Sequence, residues 1–310
     1  MGNTGSALAQ MFPPKPKWGV ENMPDLSGKV MIVTGGNTGV GKETVKALLS
    51  HGAKVYIAAR TAEKTKAAID NLKTETGREA IFLQLDLSDL VSVKRAAQEF
   101  LNKESVLHAL FNNAGVMTPP ITQLTRQGYD MQNGTNVLGH FYFTRLLLPA
   151  LQAVHAYNPS EKARIVITSS SVMYLTTLNM ASFEDGPTRR KMGTTGLYHH
   201  SKHANVVLAC ELARRYGDSI VTTSVNPGNL RTELQRYMTP VQKFFIDLVL
   251  YPAPMGALTQ LYAGTAPEAA GMNGEFFKPW ARVAIARKEA VDPEAGAKLW
   301  SWMEIHTKNI

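Results

Sequence analysis

Val30-Met31-Ile32-Val33-Thr34-Gly35-Gly36-Asn37-Thr38-Gly39-Val40-Gly41-Lys42-Glu43-Thr44-Val45 is the stretch that decides how this chain folds. Val30 to Val33 is a continuous apolar run, as in a strand whose sheet is covered by helices on both faces, and not the alternation of a half-exposed strand. A glycine-rich turn follows, and Lys42-Glu43-Thr44-Val45 opens a helix. In that order Gly35 permits the tight turn, Gly39 lets backbone approach a pyrophosphate, and Gly41 allows close helix packing. The helix N-terminus then offers N–H groups and positive potential to phosphates. Strand, glycine turn and helix start together form the context that a dinucleotide-binding fingerprint requires.

Outward from this turn, short β-rich runs alternate with helical patterns. Lys29 to Thr34, Ala53 to Ala59, Ala80 to Leu85, Leu107 to Asn112, Arg164 to Ser169 and Ile220 to Asn226 read as strands. Gly41 to Ser50, Ala62 to Glu75, Val91 to Lys103, Tyr129 to Ala153 and Tyr198 to Tyr216 read as the helices between and after them. This is βαβ arithmetic and implies an α/β, doubly wound Rossmann-type parallel sheet with helices on both faces. No repeat, low-complexity segment or linker interrupts the chain after Leu26. One domain over 26–310 is expected, behind an exposed N-terminal leader over 1–25.

Composition excludes several classes. The 310 residues are 44% hydrophobic and 19% charged, which is ordinary globular usage and not that of a disordered or fibrous chain. The single cysteine, Cys210, allows no intrachain disulfide and no cysteine-based zinc site, so a reducing, cytoplasmic setting is expected. The net charge of +8 is dispersed, without a basic tract or a reader motif, so no nucleic-acid partner is expected. No apolar run is long enough for a spanning helix. Met1-Gly2-Asn3-Thr4-Gly5-Ser6 fits the acylation pattern in which Gly2 carries a myristoyl chain, and such a chain would add weak, reversible membrane contact.

The end of the second strand speaks to the cofactor. A carboxylate at this point would hold the adenosine ribose hydroxyls and select NAD. The chain has Ala58-Ala59-Arg60-Thr61 instead. A guanidinium can pair bidentately with a 2′-phosphate, so Arg60 points to NADP(H), with NAD(H) as the alternative. After the third strand, Asp86, beside Leu87, stands where a carboxylate accepts from the adenine amino group, although an Asp before a helix is equally an N-cap.

Six motifs in this order carry a resemblance: the Thr34 to Gly41 turn, Asn112-Asn113-Ala114-Gly115, Asn136, Ser170, Tyr198-x-x-x-Lys202 and Pro227-Gly228. Over about Leu26 to Phe277 the chain resembles the short-chain dehydrogenase/reductases, and its glycine turn and Tyr198-His199-His200-Ser201-Lys202 segment look most like the retinol-dehydrogenase-like branch. The resemblance implies cofactor contacts at Gly35, Asn37, Thr38, Gly39, Val40, Gly41, Arg60, Asp86, Leu87, Asn113, Ala114, Gly115, Pro227, Gly228, Leu230 and Thr232, as well as at Tyr198 and Lys202. It implies a catalytic tetrad of Asn136, Ser170, Tyr198 and Lys202, with Lys202 on the nicotinamide ribose and Asn136 anchoring a water. It also implies a homodimer through the helices that contain Asn136 and Tyr198.

The residue types suit that chemistry. Hydride delivery to a carbonyl builds negative charge on oxygen, which calls for a proton donor and a polarising hydrogen bond. Tyr198 and Ser170 can supply them. A phenol titrates near 10, so transfer in both directions needs surroundings that favour tyrosinate by roughly 4 kcal/mol. Lys202, four residues on, shares the helical face of Tyr198.

Three remaining segments complete the expectations. The excursion from Leu175 to Leu197 is expected beside the substrate, with Arg189-Arg190-Lys191 solvated. Leu234 to Leu261, rich in Met, Phe, Leu and Tyr, reads as an apolar C-terminal substrate lid, or alternatively as a membrane-skimming helix. His199, His200 and His203 lack a carboxylate partner in metal-site spacing and read as surface or interface residues, so no metal is expected. The expected function is NADP(H)-dependent interconversion of a carbonyl and an alcohol on an apolar small molecule. The alternatives are a catalytically silent NADPH-binding regulator and a membrane-peripheral retinol or lipid-alcohol dehydrogenase.

Overall fold

The computed structural model describes residues 3–230 and 250–310. Strands β1 (Val30–Thr34), β2 (Lys54–Ala59), β3 (Ile81–Gln84), β4 (Ala109–Asn112), β5 (Ala163–Thr168) and β6 (Ile220–Val225) fall on the six runs expected from sequence. They pair in parallel in the order β3-β2-β1-β4-β5-β6. The order reverses between β1 and β4, and the crevice for ligands in such sheets lies at that switch point. Two strands without a sequence signature extend the sheet: β7 (Phe276–Lys278), parallel to β6, and β8 (Arg282–Ala284), antiparallel to β7. Three residues are too few to display a period of two.

The helices are α1 (Asn3–Ala9), α2 (Gly39–Ser50), α3 (Ala62–Thr76), α4 (Leu90–Leu101), the single turn α5 (Met131–Asn133), α6 (His140–Tyr157), α7 (Pro187–Tyr216), α8 (Ala253–Thr265) and α9 (Pro293–Thr307). Alternation along β1 shows how the layers form. Val30 and Ile32 enter one apolar cluster and Met31 and Val33 the other, as pleating requires. The first cluster includes Phe100 of α4, Phe141 of α6, Leu208 of α7 and Trp300 of α9. Val45 and Leu48 of α2, Leu72 of α3 and Leu261 of α8 belong to the second. Each fully buried side chain of this size contributes about 2 to 3 kcal/mol. Trp300 is only 1% exposed, with Phe141 edge-on and the Arg215 guanidinium over its ring, so α9 covers α6 and α7 from outside.

Several expectations change. The segment expected to be an exposed leader is partly built into the domain: Gln10 and Met23 are buried, and Trp18 packs edge-on against Tyr262. Apolar residues spaced among its prolines give it something to bury. The helix read from Tyr129 is interrupted by a π segment over Gly134–Gly139, and α7 begins before Tyr198, with Gly193 at φ +64° breaking its helical backbone. Of the expected lid, residues 234–249 lie outside the described residues. Ala253 onward is the N-terminal half of α8, whose Ala257 and Leu261 are buried against the sheet. No helix among the described residues is long and apolar enough to cross a membrane.

Candidate active site

The end of β1 is sewn to the end of β4. The Thr34 hydroxyl accepts from the N–H groups of Asn113 and Ala114, each at 2.9 Å, and Asn113 Nδ2 donates to the Thr34 carbonyl at 2.9 Å. Over this seam, at the C-terminal ends of the strands, lies a cavity of about 510 Å³. Nearly all the sequence-derived site residues line it.

At one end stand Gly35, Asn37, Thr38, Gly39, Val40 and Gly41. Gly35 (φ +66°) and Gly39 (φ +50°) occupy backbone that side chains avoid. A Cβ on Gly41 would come within 2.3 Å of the Gly35 carbonyl. Thr38 caps α2 without a side-chain hydrogen bond, so the capping side chain leaves the first-turn N–H groups to other acceptors. These features fit a pyrophosphate. Arg60 and Thr61 line the same end, together with Lys64 from the first turn of α3. Lys64 is not singled out by the sequence reading; its one signal is a basic residue in the first turn of the helix that follows Arg60. Asp86 and Leu87 line the cavity too, and Asp86 Oδ1 accepts from the Ser88 N–H and hydroxyl. The N-cap of α4 is Asp89, so that alternative for Asp86 drops out.

At the other end Ser170, Tyr198 and Lys202 converge with Ala114, Gly115, Pro227, Gly228 and Leu230. The Lys202 ammonium lies 5.7 Å from the Tyr198 ring centroid and donates to the Thr168 carbonyl at 3.0 Å. Burial pushes the Tyr198 phenol up from its ordinary value and the Lys202 ammonium down to about 8. In the chain alone desolvation is what raises the phenol, whereas the expected stabilisation of tyrosinate combines Lys202 with the positive nicotinamide of a bound oxidised cofactor. Of the consecutive serines, Ser169 donates its hydroxyl to the Lys202 carbonyl at 2.6 Å. Ser170 has only a 3.4 Å contact from the Val172 N–H. A Cβ on Gly115 would stand 3.2 Å from Asn136 Oδ1, so the small residue there keeps the cavity floor open.

Asn136 is not in the cavity lining. Its side chain accepts from the Val116 N–H (2.8 Å) and donates to the Val116 carbonyl (3.0 Å) and to the Ser201 hydroxyl (3.0 Å), clamping the loop after β4 to α7. Its carbonyl receives His140 Nδ1 at 3.0 Å. Thr232 lies outside the described residues. His200 and His203 are buried and hydrogen-bonded, to Asn133 and Asn179 and to Met173, which corrects their reading as surface residues. Arg189, expected in solvent, is 2% exposed and pairs with Asp130 at 2.8 Å. Among the described residues no group of His, Cys, Asp and Glu is placed to hold a metal ion.

The model of the short chain dehydrogenase family matches residues 29–243, and the chain belongs to that family of oxidoreductases. Within it the chain falls in the retinol-dehydrogenase-like branch. It is 37% identical to human retinol dehydrogenase 11 over 89% of this chain and 84% of that protein. A short-chain dehydrogenase/reductase of Armillaria gallica is 62% identical over the full length of both. The Pseudomonas aeruginosa RhlG/NADP active-site complex superposes with a TM-score of 0.64 at 26% identity, covering 86% of this chain and 98% of that one.

Proposed function

We propose that this protein is an NADP(H)-dependent reductase that interconverts a carbonyl and an alcohol on apolar small molecules. One observation carries the reading: a single cavity holds Ser170, Tyr198 and Lys202 at one end and the glycine turn with Arg60 and Lys64 at the other. Two cations beside the expected adenosine ribose suit a 2′-phosphate, and Lys64 also sits in a helical first turn, where the dipole makes a cation unfavourable without an anionic partner. The likeness to the RhlG/NADP complex supports a nicotinamide cofactor, and the choice of NADP(H) rests on these two cations.

NADPH held by the glycine turn, Arg60 and Lys64 would supply the hydride. Ser170 donates a hydrogen bond to the carbonyl oxygen and polarises it. Tyr198, kept protonated by burial, gives its proton to that oxygen as negative charge develops, which matches the direction of reduction. Lys202, which burial lowers to about 8, stays mainly charged at neutral pH and stabilises the tyrosinate left behind. Asn136 acts by position, holding Val116 and Ser201 on either side.

The test is loss of NADPH and NADH absorbance against aldehydes, ketones and retinaldehyde, with Tyr198→Phe alongside wild type. Turnover that prefers NADPH and falls by about a thousandfold or more in Tyr198→Phe, with NADPH affinity retained, supports the reading. Tight NADPH binding without Tyr198-dependent turnover of any carbonyl overturns it in favour of a nucleotide-binding regulator.

A further inference from the structure

We propose that the N-terminal segment forms a wall of the substrate end of the cavity, with Met11 as a specificity-determining contact and Gln10 as the clasp that holds it there. The proposal rests on the carbonyl-reductase reading and names the residue that measures the apolar tail of the substrate.

Met11 lines the cavity, and the residues around it show at which end. Gln10 is 4% exposed, and its Oε1 accepts from Asn226 Nδ2 at 2.8 Å. Asn226 directly follows β6, and its own Oδ1 accepts from the Gly228 N–H at 3.0 Å. Val225 beside it receives the Ser169 N–H at 2.7 Å, so the clasp sits next to the end of β5, where Ser170 stands. Helix α1 packs against the 3-10 turn Ser171–Leu175, whose Val172 also lines the cavity. Arg60 follows β2, four strands from β6, which at about 4.8 Å per strand is roughly 19 Å away. Met11 therefore belongs to the reacting end and not to the adenosine end.

The segment is held on both sides of Met11. Before it lies the Gln10 clasp. After it, three prolines at 13, 14 and 16 stiffen the chain, and Trp18 and Val20 pack against the cluster of Leu230, Leu258 and Trp280. Removing the Gln10 amide would strand a buried Asn226 donor. Met11 joins Met117, Val172 and Leu250 as apolar lining beside the polar Ser170 and Tyr198. That arrangement suits a substrate with one carbonyl and a flexible apolar tail, and a thioether adapts to tails of different shape.

Straight-chain aldehydes from butanal to dodecanal, with NADPH, test the wall in full-length protein. Met11→Trp is expected to lower kcat/KM for dodecanal relative to butanal by roughly tenfold, and Gln10→Ala to raise KM for dodecanal with NADPH affinity unchanged. A readout that does not need turnover uses Met11→Cys. The native Cys210 is 6% exposed, and burial pushes its thiol up to about 11, so it reacts slowly. Labelling at position 11 by N-ethylmaleimide, followed by intact mass, is expected to slow roughly tenfold when dodecanol is added to the NADP-loaded protein. A chain-length profile unmoved by Met11→Trp, together with labelling indifferent to dodecanol, overturns the proposal. Protection by dodecanol in a protein that reduces no carbonyl keeps the wall and overturns the reductase reading instead.

Discussion

His140 joins the two halves of the site through one imidazole. Its Nδ1 donates to the Asn136 carbonyl at 3.0 Å, so in the neutral ring Nε2 accepts from the Thr34 hydroxyl at 2.9 Å. Thr34 is the residue that ties β1 to β4. Burial lowers the pKa of this ring to about 4 from an ordinary 6.5. As pH falls through 6.5 the unfolded chain takes up the proton first, so stability is present above 6.5 and is lost progressively down to about 4. Between pH 7 and pH 4.5 the loss from this residue is about 2 kcal/mol. Urea unfolding of His140→Asn should show a decline with acid that is shallower by that amount; an equal decline would mean that His140 is not buried neutral. The adenosine end carries a second residue-scale expectation. Removing either Arg60 or Lys64 should weaken NADPH about tenfold and NADH hardly at all, because only one cofactor has the phosphate for a charge-assisted bond. Titration of both cofactors against each single variant checks it.

At the scale of elements, the N-terminal part of α7, the helix that carries Tyr198, is fastened to the segment before α5 by a buried ion pair. Arg189 bonds Asp130 at 2.8 Å and Asp185 at 3.0 Å, and its guanidinium also donates to the carbonyls of Ile121 and Gln123. Asp130 in turn caps α5, accepting from the N–H groups of Gln132 and Asn133, just before the π segment that contains Asn136. One guanidinium thus sets the relation of three chain segments. Arg189→Ala leaves a buried carboxylate without its partner and should cost about 3 to 5 kcal/mol, whereas Arg190→Ala, on a side chain 69% exposed, should cost under about 1 kcal/mol. Denaturant midpoints of the two variants, compared under the same conditions, decide whether the pin acts as described. Sequence could not separate these two arginines, since adjacent basic residues look alike until the backbone aims one inward.

At the scale of the whole molecule, α9 changes what the outer helices can do. The homodimer implied by the family resemblance would use α6 and α7, but Trp300 is buried there with Phe141, Tyr216 and Arg215. We therefore expect a monomer of 34.0 kDa in sedimentation equilibrium, and a dimer mass would mean that another face associates. The legibility of the molecule follows the same division. The six strands and the glycine turn were readable because parallel βαβ units leave a continuous apolar run and a fixed order of turn residues. Tyr198 and Lys202 were readable because a helical spacing of four places two side chains on one face. By contrast β7 and β8 are too short for a pattern, and the π segment has no signature apart from the register it imposes on Asn136.

The sequence by itself determined the parallel sheet, the glycine turn and the order in which the site residues arrive, because each depends on a local period or a backbone conformation that few residues adopt. Only the tertiary structure decided that Asn136 clamps the site without lining the cavity, that Arg189 is buried and Arg190 exposed, that Lys64 joins Arg60, and that Gln10 and Met11 close over the ends of β5 and β6. Those outcomes depend on contacts between segments distant in the chain, where burial and partner geometry determine what a side chain does, and no local pattern encodes them.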